Sequence, residues 1–309
     1  MTALRAQGLL FCAIAAVIAG MAATAGATLA LASDGTAALL LLAALILLLG
    51  VPHGALDTVF AEELHDVRGM FGRRGWFAFA LTYLGAALLV IMAWQIAPQL
   101  SLTGFLLLSA LHFSGDPAPG TGFMARLLYG GAMIVLPALL HASEIARLFA
   151  FLVEPLAAAA LAGALHHLSG PWLLATALTA VRQQRTHWLT GLEMAAAAAL
   201  AVLAPPLLAF TVFFCTMHSA RHIVRTWHYA GAARETAARL GRAALLPMLG
   251  TLTLGAAGAY WLRTQSLEAG LMQWLFIGLA ALTVPHMALV EQVRWSGWVN
   301  RRRRTSPDG

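Results

Sequence analysis

Runs of about twenty apolar residues, the length that crosses a hydrocarbon layer, recur along almost the whole chain and leave it few ways to fold. They cover roughly residues 8–32, 36–56, 76–97, 100–115, 123–141, 189–204, 207–229, 243–262 and 267–290, with short polar joints between them. The stretch 148–180 is apolar too, but Pro155, Gly163, Gly170 and Pro171 fall in it, so one span plus a half-helix or interfacial helix is expected there. Pro205-Pro206 marks a tight turn between two runs. Backbone groups in lipid must be satisfied within their own segment, so apolar runs of this kind fold as helices. The expected fold is therefore all-α, a polytopic transmembrane helical bundle of about ten spans (range 8–10). One integral-membrane domain over 1–309 is the natural division, with a basic tail from about residue 300.

Composition bears on what such a bundle can do. Charged residues make up 10% of the 309, against roughly 25% in a soluble domain. The net charge of +6 could suggest nucleic acid, but all 19 basic residues are arginines and most lie between apolar runs. That pattern carries topology rather than a nucleic-acid surface. With Arg68–Arg74, Arg182 and Arg185, Arg234–Arg242 and the tail Arg301–Arg304 on the cytoplasmic side, ten crossings satisfy every loop. Both termini then lie inside the plasma membrane's inner face. The first run could be a signal peptide, but a second run follows at once, so it reads as a first span. Cys12 and Cys215 both sit in apolar runs, which leaves no basis for a disulfide framework or a Cys-rich metal site.

Against this background the histidines stand out. His218 and His222 are four apart in the run 207–229 and would stack one turn apart on one helix face, where two imidazoles can share an ion. With the arginine-derived topology, the spans carrying His53, His112, His218 with His222, and His286 all run inward, and all five histidines come to one depth near the cytoplasmic end. Polar groups at membrane depth are costly and face a bundle interior or cavity. His53, His112, His218 and His222 can build an all-nitrogen metal site, and imidazole suits iron, zinc, copper or nickel alike. His286 is a fifth candidate, as ligand, pocket lining or simple packing beside Pro285. Asp57 and Asp116 each follow a histidine by four residues and would hold an imidazole N–H if the helix continues; otherwise they are solvated helix ends. Phe113, Phe213, Phe214 and Trp227 are candidates to line an apolar tunnel. His65, His166, His167 and His187 lie near loops, and His141 and His228 are assigned nothing. No His-Glu-x-x-His pattern, carboxylate-bundle pattern or Gly-rich phosphate loop occurs. Val51-Pro52-His53-Gly54-Ala55-Leu56 is echoed by Val284-Pro285-His286-Met287-Ala288-Leu289, a local likeness of two helix ends.

The ordered set Pro52-His53-Gly54-Ala55-Leu56-Asp57, His112-Phe113 with Asp116, His218-x-x-x-His222 and Pro285-His286 resembles the Brp/Blh family of integral-membrane β-carotene 15,15′-dioxygenases from about residue 40 to 292. Ser114 departs from that pattern, which has a glycine after the phenylalanine. The resemblance implies that His53, His112, His218 and His222 ligate a non-haem Fe(II), with Asp57, Asp116, His286 and Phe113 around it. It implies oxidative cleavage of β-carotene by O2 at the central double bond to two retinals, in a site reached from membrane lipid. The alternatives are a non-catalytic membrane protein that binds metal or haem in support of carotenoid and retinal pigments, and a transporter with a His-lined path.

Overall fold

The computed structural model describes residues 2–33, 35–50, 52–57, 72–230 and 266–295, with isolated positions between 241 and 253. Among them every regular element is a helix. Most of the expected span 243–262, the tail, His65 and the side chain of His53 lie outside the described residues.

In chain order the helices are α1 (Ala3–Ser33), α2 (Thr36–Leu45), α3 (Pro52–Ala55), α4 (Gly72–Ile96), α5 (Pro98–Phe113), α6 (Phe123–Val135), α7 (Ala138–Ala150), α8 (Pro155–Thr186), α9 (Trp188–Leu203), α10 (Pro206–Val212), α11 (Ala220–Ala230) and α12 (Leu267–Trp295). Prolines at the first turns of α5, α8 and α10 fix helical φ where no N–H partner is needed, and so set where those helices begin. Two π-helical segments interrupt the pattern: Ile46–Gly50 continues α2, and Phe213–Ser219 joins α10 to α11.

The bundle is all-α, as expected, and among the described residues fewer than ten spans are found. Four described helices are long and apolar enough to cross a membrane, and a fifth crossing arises if α6 and α7, bent by 57° at a short break, count as one. The apolar helices Thr36–Gly50, Pro98–Phe113 and Trp188–Leu203 are shorter than the roughly twenty residues a crossing needs. The stretch 148–180 also differs from expectation. Its helix breaks after Ala150, and α8 then runs unbroken for 32 residues through Gly163, Gly170 and Pro171. Proline and glycine are tolerated in such a helix because neighbouring helices take up the freed backbone groups. The Pro205-Pro206 turn is where the sequence places it.

The continuous helix from Pro206 to His228 is the axis of the molecule. Its most apolar stretch is 61% buried, against 11% for Phe77–Ile96 at the periphery. Helices α1, α2, α7 and α9 pack on it, and the outer helices follow one another from α9 through α8, α6, α5 and α4 to α12. The core gathers Phe11 of α1, Tyr129 of α6, Met194 and Leu200 of α9, and Phe213 and Met217 of the axis. Phe11 and Tyr129 both meet Phe213, with ring centroids 6.0 and 6.1 Å away. Helix α1 is thus part of the core, in keeping with its reading as a first span.

The two π segments face each other. The Ser219 hydroxyl donates to the carbonyls of Leu49 (2.7 Å) and Gly50 (3.0 Å), and the Cys215 thiol points at Leu45 O (3.4 Å). A π turn shifts the backbone ladder to i→i+5 and leaves carbonyls poorly aligned, so cross-bonds of this kind hold the irregular stretch in place. Gly50 permits the close approach, because a Cβ there would overlap the Phe214 ring.

Candidate metal centre

Each π segment delivers a histidine-bearing stretch to the middle of the bundle. Ile46–Gly50 leads into Pro52-His53, and Phe213–Ser219 contains His218. From the other side come His112 in the last turn of α5 and His286 inside α12. Four imidazoles form a continuous chain of rings, with centroids 4.4 Å apart for His218 and His112, 5.0 Å for His112 and His286, and 5.2 Å for His286 and His222. His218, His222 and His286 are all buried. Of the five histidines expected at one depth, the four with described side chains lie in one cluster.

Carboxylates secure two of these rings. Asp116 receives Nδ1–H of His218, at 3.1 and 3.0 Å to its two oxygens. Asp57 receives Nδ1–H of His286 at 2.6 Å and the Tyr83 hydroxyl at 2.8 Å. Both aspartates are buried. Each bond fixes the tautomer and leaves Nε2 with its lone pair available to a cation. Each aspartate holds an imidazole N–H that belongs to a distant helix. Helix α5 stops at Phe113, and the turn after it swings Asp116 towards His218; Asp57 serves His286 of α12.

The turn after α5 is itself pinned. Helix C-termini leave carbonyls without intrahelical partners, and cations suit that end of the macrodipole. Arg126 Nε donates to Ser114 O at 2.9 Å, Arg225 to the carbonyls of Gly115 (2.9 Å) and Asp116 (2.7 Å), and Arg221 to Asp116 O at 3.1 Å. Arg221 also makes a bidentate pair with Glu193 of α9 (2.5 and 3.0 Å) and takes Gln7 Oε1 of α1 at 2.9 Å. Gln7 in turn donates to Thr216 O in the π segment at 2.7 Å. Sequence reasoning missed Gln7, Tyr83, Glu193, Arg221 and Arg225. The signal was available: Glu193 is a lone carboxylate in an apolar run, and two arginines fall three and seven residues after His218 within another.

Aromatic rings close the site. Phe113 meets His218 edge-on at 4.8 Å, and Phe214 stacks on the same imidazole at 5.8 Å, backed by Phe210. Phe213 packs on Phe113 at 5.2 Å. Trp227 lies half-buried on α11. Among the described residues, His141 faces Glu144 (3.8 Å), His166 is held by Ala138 O, and His228 is exposed and bonded to Val224 O, all three outside the cluster.

The donor set fits a transition metal. Nε2 of His112 and Nε2 of His218 lie 2.9 Å apart. Two nitrogens bound at right angles to one ion, each at about 2.1 Å, would be about 3 Å apart. Asp57, His222 and His286 offer ligand atoms within 4.8 Å of one another. The two Asp57 oxygens each also accept a hydrogen bond, from His286 and from Tyr83.

Comparison with known proteins bears directly on this arrangement. Residues 44–294 match the family described as β-carotene 15,15′-dioxygenase. The chain belongs to that family. It is a carotenoid-cleaving dioxygenase, which sets aside the non-catalytic and transporter readings. A β-carotene 15,15′-dioxygenase of an uncultured marine bacterium, 66A03, is 30% identical over 258 residues, covering 80% of this chain and 91% of that protein. A probable β-carotene 15,15′-dioxygenase, Blh, of Halobacterium salinarum is 28% identical over 320 residues, covering 90% of this chain and 89% of that protein. No solved structure matches.

Proposed function

We propose that this dioxygenase cleaves β-carotene at its central 15,15′ double bond to two retinals, with Fe(II) held by His53, His112, His218 and His222 and with O2 as oxidant. The observation that carries the reading is the buried imidazole cluster whose outer nitrogens are fixed by Asp116 and Asp57. Imidazole ligands accept several metals; zinc has no redox chemistry, and among the redox-active ones iron is the choice that the family resemblance implies. The reaction balances without a further reductant: one C=C bond breaks, two C=O bonds form, and both oxygens of O2 end in the two aldehydes.

Bound iron supplies the activation of O2; the protein supplies the rest. Asp116 holds His218 and Asp57 holds His286 in one tautomer and one ring orientation, with Nε2 turned inward. Neutral imidazoles leave positions open for oxygen. Phe113, Phe213 and Phe214 keep water from the cluster and present an apolar wall to a hydrocarbon. His286, in ring contact with both His112 and His222, serves as a pocket wall or a further ligand. The substrate is dissolved in lipid, so a site within the bundle is reached sideways from the membrane. The same reading places the enzyme in the plasma membrane as one integral domain, with both termini cytoplasmic.

The test is expression in cells that accumulate β-carotene, followed by chromatography that resolves retinal from longer apocarotenals. Retinal is expected, with loss in His112→Ala and His218→Ala variants that still insert and retain less iron. Longer apocarotenals would move the cut away from the centre, and unchanged carotene beside an inserted, iron-loaded protein would overturn the proposal.

A further inference from the structure

We infer that the crevice between α4, α5 and α12 is the seat for one cyclic end group of the carotenoid substrate, an inference that rests on the cleavage reading above. The crevice is lined by Trp94 of α4, Gly104, Phe105 and Leu108 of α5, and Thr283 and Val284 of α12, among others. Its wall is almost wholly apolar. The Thr283 hydroxyl is satisfied within its own helix, by Leu279 O at 2.7 Å. Trp94 is anchored by its indole N–H to Leu152 O (3.4 Å) and lies 6.3 Å from Phe105, so the aromatic side is rigid.

Register ties the crevice to the histidines. On α5, Phe105, Leu108 and His112 are spaced seven and four residues apart and so share one face. On α12, Thr283 precedes His286 by three residues and lies on its face as well. The two lined stripes thus converge on His112 and His286, whose rings are 5.0 Å apart. From Gly104 to His112 the helix climbs about 12 Å, a path fit for the arm of a polyene between its ring and its centre.

Size limits the occupant. The crevice holds about 180 Å³, below the roughly 300–1,000 Å³ of sites that enclose a drug-sized ligand whole. It takes a compact, methylated ring and leaves the rest of the chain to lie along the stripes. The outer faces of α4 and α5 expose Leu89, Leu100 and Leu107, a surface suited to lipid and to entry from it.

Gly104 provides the probe, because a Cβ built there meets nothing within 4 Å. Gly104→Ala therefore adds a Cβ without a collision, Gly104→Leu extends the side chain further into the space, and both improve helix propensity. For Gly104→Leu, kcat/KM for β-carotene is expected to fall about tenfold or more, mostly through KM, with the smaller Ala variant in between. An acyclic carotenoid of equal length should be affected much less. In metal-free protein purified from carotene-producing cells, Gly104→Leu should retain less β-carotene by absorbance while inserting normally. Equal losses for cyclic and acyclic substrates, or no loss at all, would overturn the assignment and leave the crevice to a lipid tail. If the unsubstituted enzyme made no retinal, the cleavage reading would fail instead; carotene retention that was then the same in both proteins would overturn the seat as well.

Discussion

Asp116 stands at the junction of everything that shapes the site. Its carboxylate fixes His218, while its carbonyl is held by Arg221 and Arg225. Asp116→Asn keeps the volume but removes the charge that favours the inward-facing lone pair of His218. Iron affinity is expected to drop about 10- to 100-fold, read by metal titration of the purified protein, with insertion unchanged. Tyr83→Phe should have a smaller effect, since Asp57 keeps its bond to His286 when the hydroxyl is lost. These residues also show how far sequence reasoning reaches. A carboxylate four residues after a histidine was legible as an imidazole partner. Which imidazole it serves was not, because that depends on where α5 ends and how its last carbonyls are captured. Two of the arginines that capture them, Arg221 and Arg225, lie more than a hundred residues downstream, on another helix.

At the scale of elements, two irregularities and one ion pair decide the geometry. The π segments bring Gly50 against the ring of Phe214, which is itself stacked between Phe210 and His218 and has little room to yield. Gly50→Ala should destabilise by about 1–3 kcal/mol through overpacking, seen as a lower midpoint in detergent-solubilised thermal unfolding. It should also reduce turnover, because the displaced ring leans on His218. The Glu193–Arg221 pair ties α9 to α11, with both residues buried. Glu193→Gln leaves a guanidinium uncompensated and should cost about 3–5 kcal/mol, whereas Glu193→Gln with Arg221→Met should recover much of that in the same unfolding measurement. Apolar run lengths foretold most helix positions, yet neither the π segments nor the 57° bend between α6 and α7 could be read from them. Apolar spacing does not distinguish an i→i+4 ladder from an i→i+5 one, and run length does not give the size of the bend at the break beside Pro137, where α6 and α7 both pack on α8 and α9.

For the whole molecule, the arginine distribution sets a testable orientation. Single cysteines at the N-terminus and in the tail, in a background without Cys12 and Cys215, should be shielded from a membrane-impermeant thiol reagent in intact cells and labelled after lysis; labelling in intact cells would reverse the topology. The fold class was legible because composition and run length admit little else. The number of full crossings was not, since α2, α5 and α9 are apolar yet short, and only their neighbours decide how deep they sit.

The two carboxylate–imidazole bonds join residues 102 and 229 positions apart in the chain. Neither bond can form until the helices that carry its two partners have met, so the arrangement of these rings depends on tertiary assembly. Loading is therefore a certificate of assembly: a ligand that binds only the finished state stabilises it by about 2.7 kcal/mol at a hundred times its dissociation constant. Cells short of iron should accordingly clear newly made copies faster than cells that have it, a difference a pulse-chase experiment would read as a shorter half-life.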